Sequence, residues 1–184
     1  MGKTEIWTVG HSTHEMSALA DLLRRPGIEV VADVRSYPSS RHNPQFNRKP
    51  LRSSLLAAQI EYVFLGKELG GRPPEPEFYD ARGHVLYRAV AESERFASGL
   101  ERLLTGAATY RVAILCSEEN PEHCHRRLLV GRVLTNRGIS VLHIRGDGSV
   151  VSDKDLGRLS EDAAQGALFG PEAAARRTTR SVTA

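Results

Sequence analysis

Short apolar blocks recur along the chain, and their periods alternate between those of strands and helices. Glu5 to Gly10 reads as a first strand. Ser12-Thr13-His14-Glu15 then fits a capping box, with Ser12 as N-cap and Glu15 reaching back. The spacing of Met16, Leu19, Leu22 and Leu23 predicts a helix, which Pro26-Gly27 stops. Residues 28–34 (IEVVADV) form a strand with little polar interruption, as expected where both faces are covered. Residues 36–50 are loop-like, and Pro50 is placed to open a helix through Leu51, Leu55 and Leu56. Residues 61–65 give a third strand, followed by a Gly/Pro-rich irregular stretch from Gly66 to Pro76. One helix is expected over about 86–104, then a strand over 110–116 (YRVAILC). Asn120-Pro121 resembles an N-cap with proline at the first helical position, and that helix runs to Gly138. Residues 139–144 (ISVLHI) are the last strand.

Five strands separated by helices predict an α/β fold: a three-layer, Rossmann-like parallel sheet of about five strands with flanking helices. Residues 1–155 are expected to form this single domain. Residues 156–184 are rich in Ala, Arg and Thr and read as a basic, mobile tail. The composition, 40% hydrophobic and 26% charged, excludes a wholly disordered chain. No apolar run approaches the roughly 18 residues of a membrane span, so no membrane partner is expected. The N-terminus lacks a signal-peptide pattern, and two cysteines cannot build a disulfide framework, so a cytoplasmic location is expected.

The formal net charge of +3 matters less than its distribution. Between Val34 and Ile60 lie Arg35, Arg41, Arg48, Lys49 and Arg52 without one acidic residue. In an open parallel sheet, ligands bind beyond the carboxyl ends of the strands. The unusual polar residues gather there: His11 after the first strand, Asp33 and Arg35 at the end of the second, Cys116 and Glu118 after the fourth. Cys124 is expected in the first turns of a helix, where the macrodipole favours a thiolate and His125 and Arg126 add positive charge. That pattern suits a nucleophile or an anion site; inert packing thiols are the alternative. A phosphatase-type loop would need arginine where Glu122 stands, and there is no Cys-x-x-Cys pair. A metal on Cys116, Cys124, His125 and a distant His11 can be drawn, but the two cysteines do not have a usual metal spacing, and no metal or other cofactor is assigned. Ser40, Arg41 and Phe46 belong to a loop whose hydroxyls, cations and single aromatic suit phosphate contacts and base stacking.

The ordered set Val9-Gly10-His11-Ser12, Asp33-Val34-Arg35, Pro38, Ser40-Arg41, Phe46, Leu69-Gly70-Gly71, Cys116 with Glu118, and Cys124-His125-Arg126 resembles the domain of unknown function 488 family over roughly residues 5–150. The resemblance implies a compact α/β domain with its shared polar residues at one site, and it carries no activity. In the tail, Gln165, Leu168 and Phe169 are similar to the short peptides by which bacterial DNA polymerases and repair proteins dock on the sliding clamp. These features motivate an enzyme acting on DNA or a nucleotide-like substrate, in repair or base processing. Arg35, Ser40, Arg41, Phe46 and Arg126 are its expected substrate contacts. Asp33, Glu118, His11 and His125 are its proton-transfer candidates, and Cys116 or Cys124 its nucleophile. The alternatives are a thiol- or metal-dependent enzyme on a small anionic metabolite, and a non-catalytic DNA- or partner-binding module.

Overall fold

The computed structural model describes residues 4–157 and 175–176. Six strands form one sheet, in the order β3-β2-β5-β1-β6-β7. These are β1 (Glu5–Gly10), β2 (Val30–Asp33), β3 (Glu61–Phe64), β5 (Val112–Cys116), β6 (Ser140–Ile144) and β7 (Val150–Ser152). The first five run parallel, and β7 pairs antiparallel with β6. The α/β, Rossmann-like architecture is thus as expected, with a sixth strand added at one edge. A separate two-residue strand β4 (Val85–Leu86) pairs antiparallel with β8 (Ala175–Arg176).

Helices cover both faces. On one face α1 (Met16–Arg24) and α2 (Arg48–Ala57) bury Leu19, Leu22, Leu23, Leu51 and Leu55 against Val31, Ala113 and Leu115. On the other, α5 (Glu94–Ala107) and the segment after β5 bury Phe96, Leu100, Leu129, Val130 and Leu134 against Ile6, Ala32 and Ile114. The side chains of β5 alternate between these cores, which explains its unbroken apolar run VAILC.

Local details depart from the sequence pattern. Ser12 has φ +46°, and α1 starts at Met16 with Glu15 as N-cap and no side-chain cap, so the capping box does not form. The helix expected over 86–104 is two helices, α4 (Tyr87–Ala91) and α5, because Ser93 caps α5 by accepting from the Phe96 amide. A four-residue helix α3 (Gly66–Leu69) lies in the irregular stretch. After β5, Asn120 does accept from the Glu122 amide, but it caps a single 3₁₀ turn, Pro121–His123. Cys124 follows in extended conformation, and Arg126–Gly131 is π-helical before α6 (Arg132–Asn136). The wider π turn brings the Arg126 carbonyl to 3.0 Å from where a Gly131 side chain would begin, so glycine suits the sixth position.

The topology leaves one crevice. The chain leaves β1 and β2 towards the α1/α2 face. It leaves β5, which lies between them, towards the opposite face. Cys116 is the last residue of β5 and so stands at the point where the connections diverge.

Candidate active site

The loop after β5 is fixed from two sides. Gly10 ends β1 in register with Cys116, and a β-carbon on it would lie 1.8 Å from the Glu118 carbonyl oxygen. Only glycine lets that loop lie down on the strand. The His11 amide donates to the Cys116 carbonyl at 2.9 Å, and the Ser12 amide to Ser117 at 2.8 Å. From below, Arg126 donates to the carbonyls of Glu118 and Glu119, the latter at 2.6 Å, and to Thr8 Oγ1 at 3.3 Å. Its side chain is 0% exposed. The phosphate contact expected of Arg126 is therefore replaced by an internal clamp on backbone carbonyls.

That loop aligns a compact cluster. Cys116 Sγ, Cys124 Sγ and the Nδ1 of His125 all lie within 4.8 Å of one another. Nδ1 is 3.5 Å from Cys116 Sγ and 4.0 Å from Cys124 Sγ. Glu118 Oε2 accepts from Cys116 Sγ at 3.4 Å. On the far side of the imidazole, Nε2 is 3.0 Å from the Val34 carbonyl. A carbonyl only accepts, so Nε2 carries hydrogen and the Nδ1 of the neutral ring turns its lone pair to the two sulfurs. Gly71 closes over this ring; a β-carbon there would lie 2.5 Å from His125 Cγ. The two sulfurs share their protons unequally. The hydrogen bond to Cys124, with burial, pushes the Cys116 thiol up. The same bond from Cys116 holds Cys124 well down against its burial, with His125 and Arg126 adding to the effect. Burial opposes a proton on His125, but the hydrogen bond and charge of Cys124 outweigh it and raise its pKa.

A second group lies beside the first. Asp33 accepts from Arg35 Nε at 2.9 Å and NH2 at 2.6 Å, from the Arg35 amide at 3.1 Å, and from the Tyr62 hydroxyl at 2.8 Å. Arg35 NH1 donates to His11 Nε2 at 3.1 Å, and His11 Nδ1 donates to the Ser12 carbonyl at 2.8 Å. His11 is thereby held neutral: burial first, then the Arg35 charge, lowers its pKa from 6.5 to about 4. Phe46 is 0% exposed and stacks on His11 with centroids 4.3 Å apart. The base-stacking face expected of Phe46 is occupied by that imidazole. Ser40 Oγ accepts from the amides of His42 and Asn43, shaping its own loop, and Arg41 is exposed.

A cavity of about 160 Å³ opens on the first group and reaches the second only at Arg35; His11, Asp33 and Phe46 do not line it. Arg35, Cys116, Glu118, Cys124 and His125 line it, as do Ser36, Tyr37, Gly71, Arg72 and Tyr87. Of these last five only Gly71 belongs to the motif set in the sequence; Ser36, Tyr37, Arg72 and Tyr87 carry no such signal. Tyr37 stands 68% exposed, an unusual position for an aromatic ring. Tyr87 has its pKa raised to about 12 by burial and by the neighbouring cysteines. Cys116 and Cys124 are only 4% and 2% exposed, so anything that reaches them enters through this cavity. Gln165, Leu168 and Phe169 lie outside the described residues.

A parallel α/β domain with a cysteine–histidine cluster at the carboxyl end of its central strand is the class that fold and site define. The chain belongs to the family described as domain of unknown function DUF488, whose model matches residues 15–133. No curated protein and no solved structure matches it. Among the described residues, no helix is long and apolar enough to cross a membrane.

Proposed function

We propose that the protein is an enzyme that acts on a small anionic, nucleotide-like group held in the cavity at the end of β5. The convergence of two thiols, one imidazole and one carboxylate on a single cavity wall carries this reading. Structural cysteines are normally packed among apolar side chains; these two face ionisable partners instead. In this reading Cys116, Cys124 and His125 form the reactive group. Glu118 is the exposed carboxylate beside them and moves the proton. Arg72 supplies positive charge at the rim, and Tyr37 takes the stacking role first expected of Phe46. Arg35 positions; its guanidinium is committed to Asp33 and His11.

The cavity volume corresponds to roughly five water molecules at about 30 Å³ each. That space suits one planar ring or one phosphate, and duplex DNA does not fit it. A nucleic-acid substrate would present a single extruded nucleotide. Exposed Arg41, Arg48, Lys49 and Arg52 in the acid-free segment support this DNA version, as does the clamp-like peptide at residues 165–169. It belongs to repair or base processing in the cytoplasm.

The experiment incubates the full chain with a panel of nucleoside mono- and diphosphates and a short single-stranded oligonucleotide, with products read by mass spectrometry. Turnover is expected, and loss of turnover in Glu118→Gln and Cys124→Ser. Salt-sensitive binding of the oligonucleotide that weakens in Arg41→Ala/Arg48→Ala selects the DNA version. Absence of both binding and turnover across the panel refutes the reading.

A further inference from the structure

The two thiols and the imidazole satisfy a more demanding geometric test. With Zn–S near 2.3 Å and Zn–N near 2.0–2.1 Å, a tetrahedral zinc separates sulfur from nitrogen by about 3.5–3.6 Å and sulfur from sulfur by about 3.8 Å. The two sulfur–nitrogen separations in the cluster are 3.5 and 4.0 Å, and the whole triangle closes within 4.8 Å. The sulfur–nitrogen separations need to change by at most about half an ångström, and the two sulfurs by no more than about 1 Å, to bring all three atoms onto one ion.

The orientation of His125 is independent of those distances. Its Nε2–H is engaged by the Val34 carbonyl, and the ring fits there because Gly71 has no side chain. A histidine ligand ordinarily donates its other ring N–H to a carbonyl or carboxylate, which fixes the tautomer and aims the lone pair at the metal. The ring lies where such a ligand would lie, with Nδ1 directed at both sulfurs.

We infer that Cys116, Cys124 and His125 bind a zinc ion through two thiolates and one imidazole, with the fourth position open to the cavity. The inference deepens the proposed function by naming what its reactive group holds. Binding balances as one Zn²⁺ taken up and two protons released, leaving two thiolates and a neutral imidazole. The charges of ion and thiolates cancel, so the complex tolerates a site where both cysteines are buried. Thiolate and imidazole donors in a tetrahedral arrangement select zinc over magnesium or calcium, which take oxygen ligands. Three protein ligands and one open position are the arrangement of zinc sites that activate a water molecule or polarise a substrate oxygen. Glu118, 3.4 Å from Cys116 Sγ and lining the same cavity, would be the group able to move a proton there.

His11 is excluded as a fourth ligand because both its nitrogens are bonded, to Arg35 and to the Ser12 carbonyl. Asp33 is likewise saturated by Arg35 and Tyr62.

The test loads the reduced, full-length protein with Zn²⁺, removes excess by dialysis, and measures zinc by mass spectrometry. About one zinc per chain is expected. Cobalt in its place should give the near-ultraviolet charge-transfer bands of cobalt–thiolate bonds. Zinc should also shield the wild-type thiols from a thiol reagent, a readout that needs no variant to fold. Cys124→Ser and His125→Ala should lose the metal, and Glu118→Gln should keep it. Absence of zinc uptake, or thiols equally reactive with and without zinc, overturns the inference. Zinc bound without nucleotide turnover upholds the site and refutes the substrate reading. Turnover undiminished in chelator-treated, zinc-free protein refutes the site and upholds the substrate reading.

Discussion

Gly10→Ala tests how the β5 loop is held. The added methyl carbon would lie 1.8 Å from the Glu118 carbonyl oxygen, 2.5 Å from its carbon and 2.9 Å from Glu119 Cα. All three are backbone atoms, so no rotamer relieves the clash. Strand β1 cannot yield either, because β5 and β6 pair with it on both sides. The loop must therefore retreat by about 1.6 Å to reach the ordinary contact distance of 3.4 Å. That movement pulls the Glu118 carbonyl away from Arg126. Overpacking costs about 1–3 kcal/mol, and a lost hydrogen bond to a buried partner about 1–3 kcal/mol more. For a chain of this length each kcal/mol moves Tm by about 2–4 °C, so a loss on the order of 10 °C is expected. Gly106→Ala is the contrast. Its nearest neighbour would be Val112 Cγ2 at 4.0 Å, and alanine within α5 should stabilise by up to about 1 kcal/mol. Calorimetry of both variants, with zinc binding measured in parallel, provides the assay. A Gly10→Ala protein that melts with the wild type and binds zinc equally well refutes the proposed packing of the loop.

Three further outcomes are expected. Asp33→Ala leaves the Arg35 charge buried without its counter-ion and should cost about 3–5 kcal/mol in urea denaturation; a loss under about 1 kcal/mol contradicts the buried pair. His11 has its folded pKa lowered from 6.5 to about 4, so the unfolded chain binds the extra proton between those values. Its contribution is complete above pH 6.5 and is lost as pH falls towards 4, an effect of roughly 3 kcal/mol at most; His11→Gln should flatten the stability profile in that window, and an unchanged slope would assign it to other groups. Arg126→Met strands the carbonyls of Glu118 and Glu119, while Thr8 Oγ1 keeps its 2.8 Å bond to His143 Nδ1, and should cost several kcal/mol, at about 1–3 kcal/mol for each carbonyl left unpaired. Arg126→Lys should recover only part, because one ammonium cannot reproduce the guanidinium fork; full recovery in denaturation would show that charge alone suffices.

Much of the fold was legible because period and punctuation agree locally. The run VAILC needs two covered faces, and its position at the centre of the sheet supplies them. The features that were missed depend on contacts distant in sequence. Ser12 stands where the local pattern places a cap, yet its amide is drawn to the Ser117 carbonyl, and the residue adopts φ +46°. The π turn after His125 cannot be told from an α-helix by apolar spacing alone, and Arg126, which opens it, is fully buried. Phe46 sits among polar residues and so resembled an exposed ring; its partner, His11, is 35 positions away.

The same distinction holds at the candidate site. The grouping of polar residues at strand ends was visible once the strands were drawn, because parallel topology brings those ends to one rim. Their roles were not. Arg35 and Arg126 look like phosphate ligands in sequence, but each satisfies buried acceptors. Gly71 and Arg72 lie within the irregular stretch from Gly66 to Pro76, which has no periodic signal, yet both line the cavity. The one available clue was the pair Gly70-Gly71, which marks a close approach of backbone to a neighbour, here the His125 ring.

X-ray absorption at the zinc edge of the loaded, reduced protein addresses the site most directly, because it counts the ligands by element. A first shell of two sulfurs near 2.3 Å with nitrogen or oxygen near 2.0–2.1 Å is the expected result. A shell of nitrogen and oxygen alone, as surface histidines and carboxylates would give, contradicts the assignment of Cys116 and Cys124 as the reactive centre of this fold.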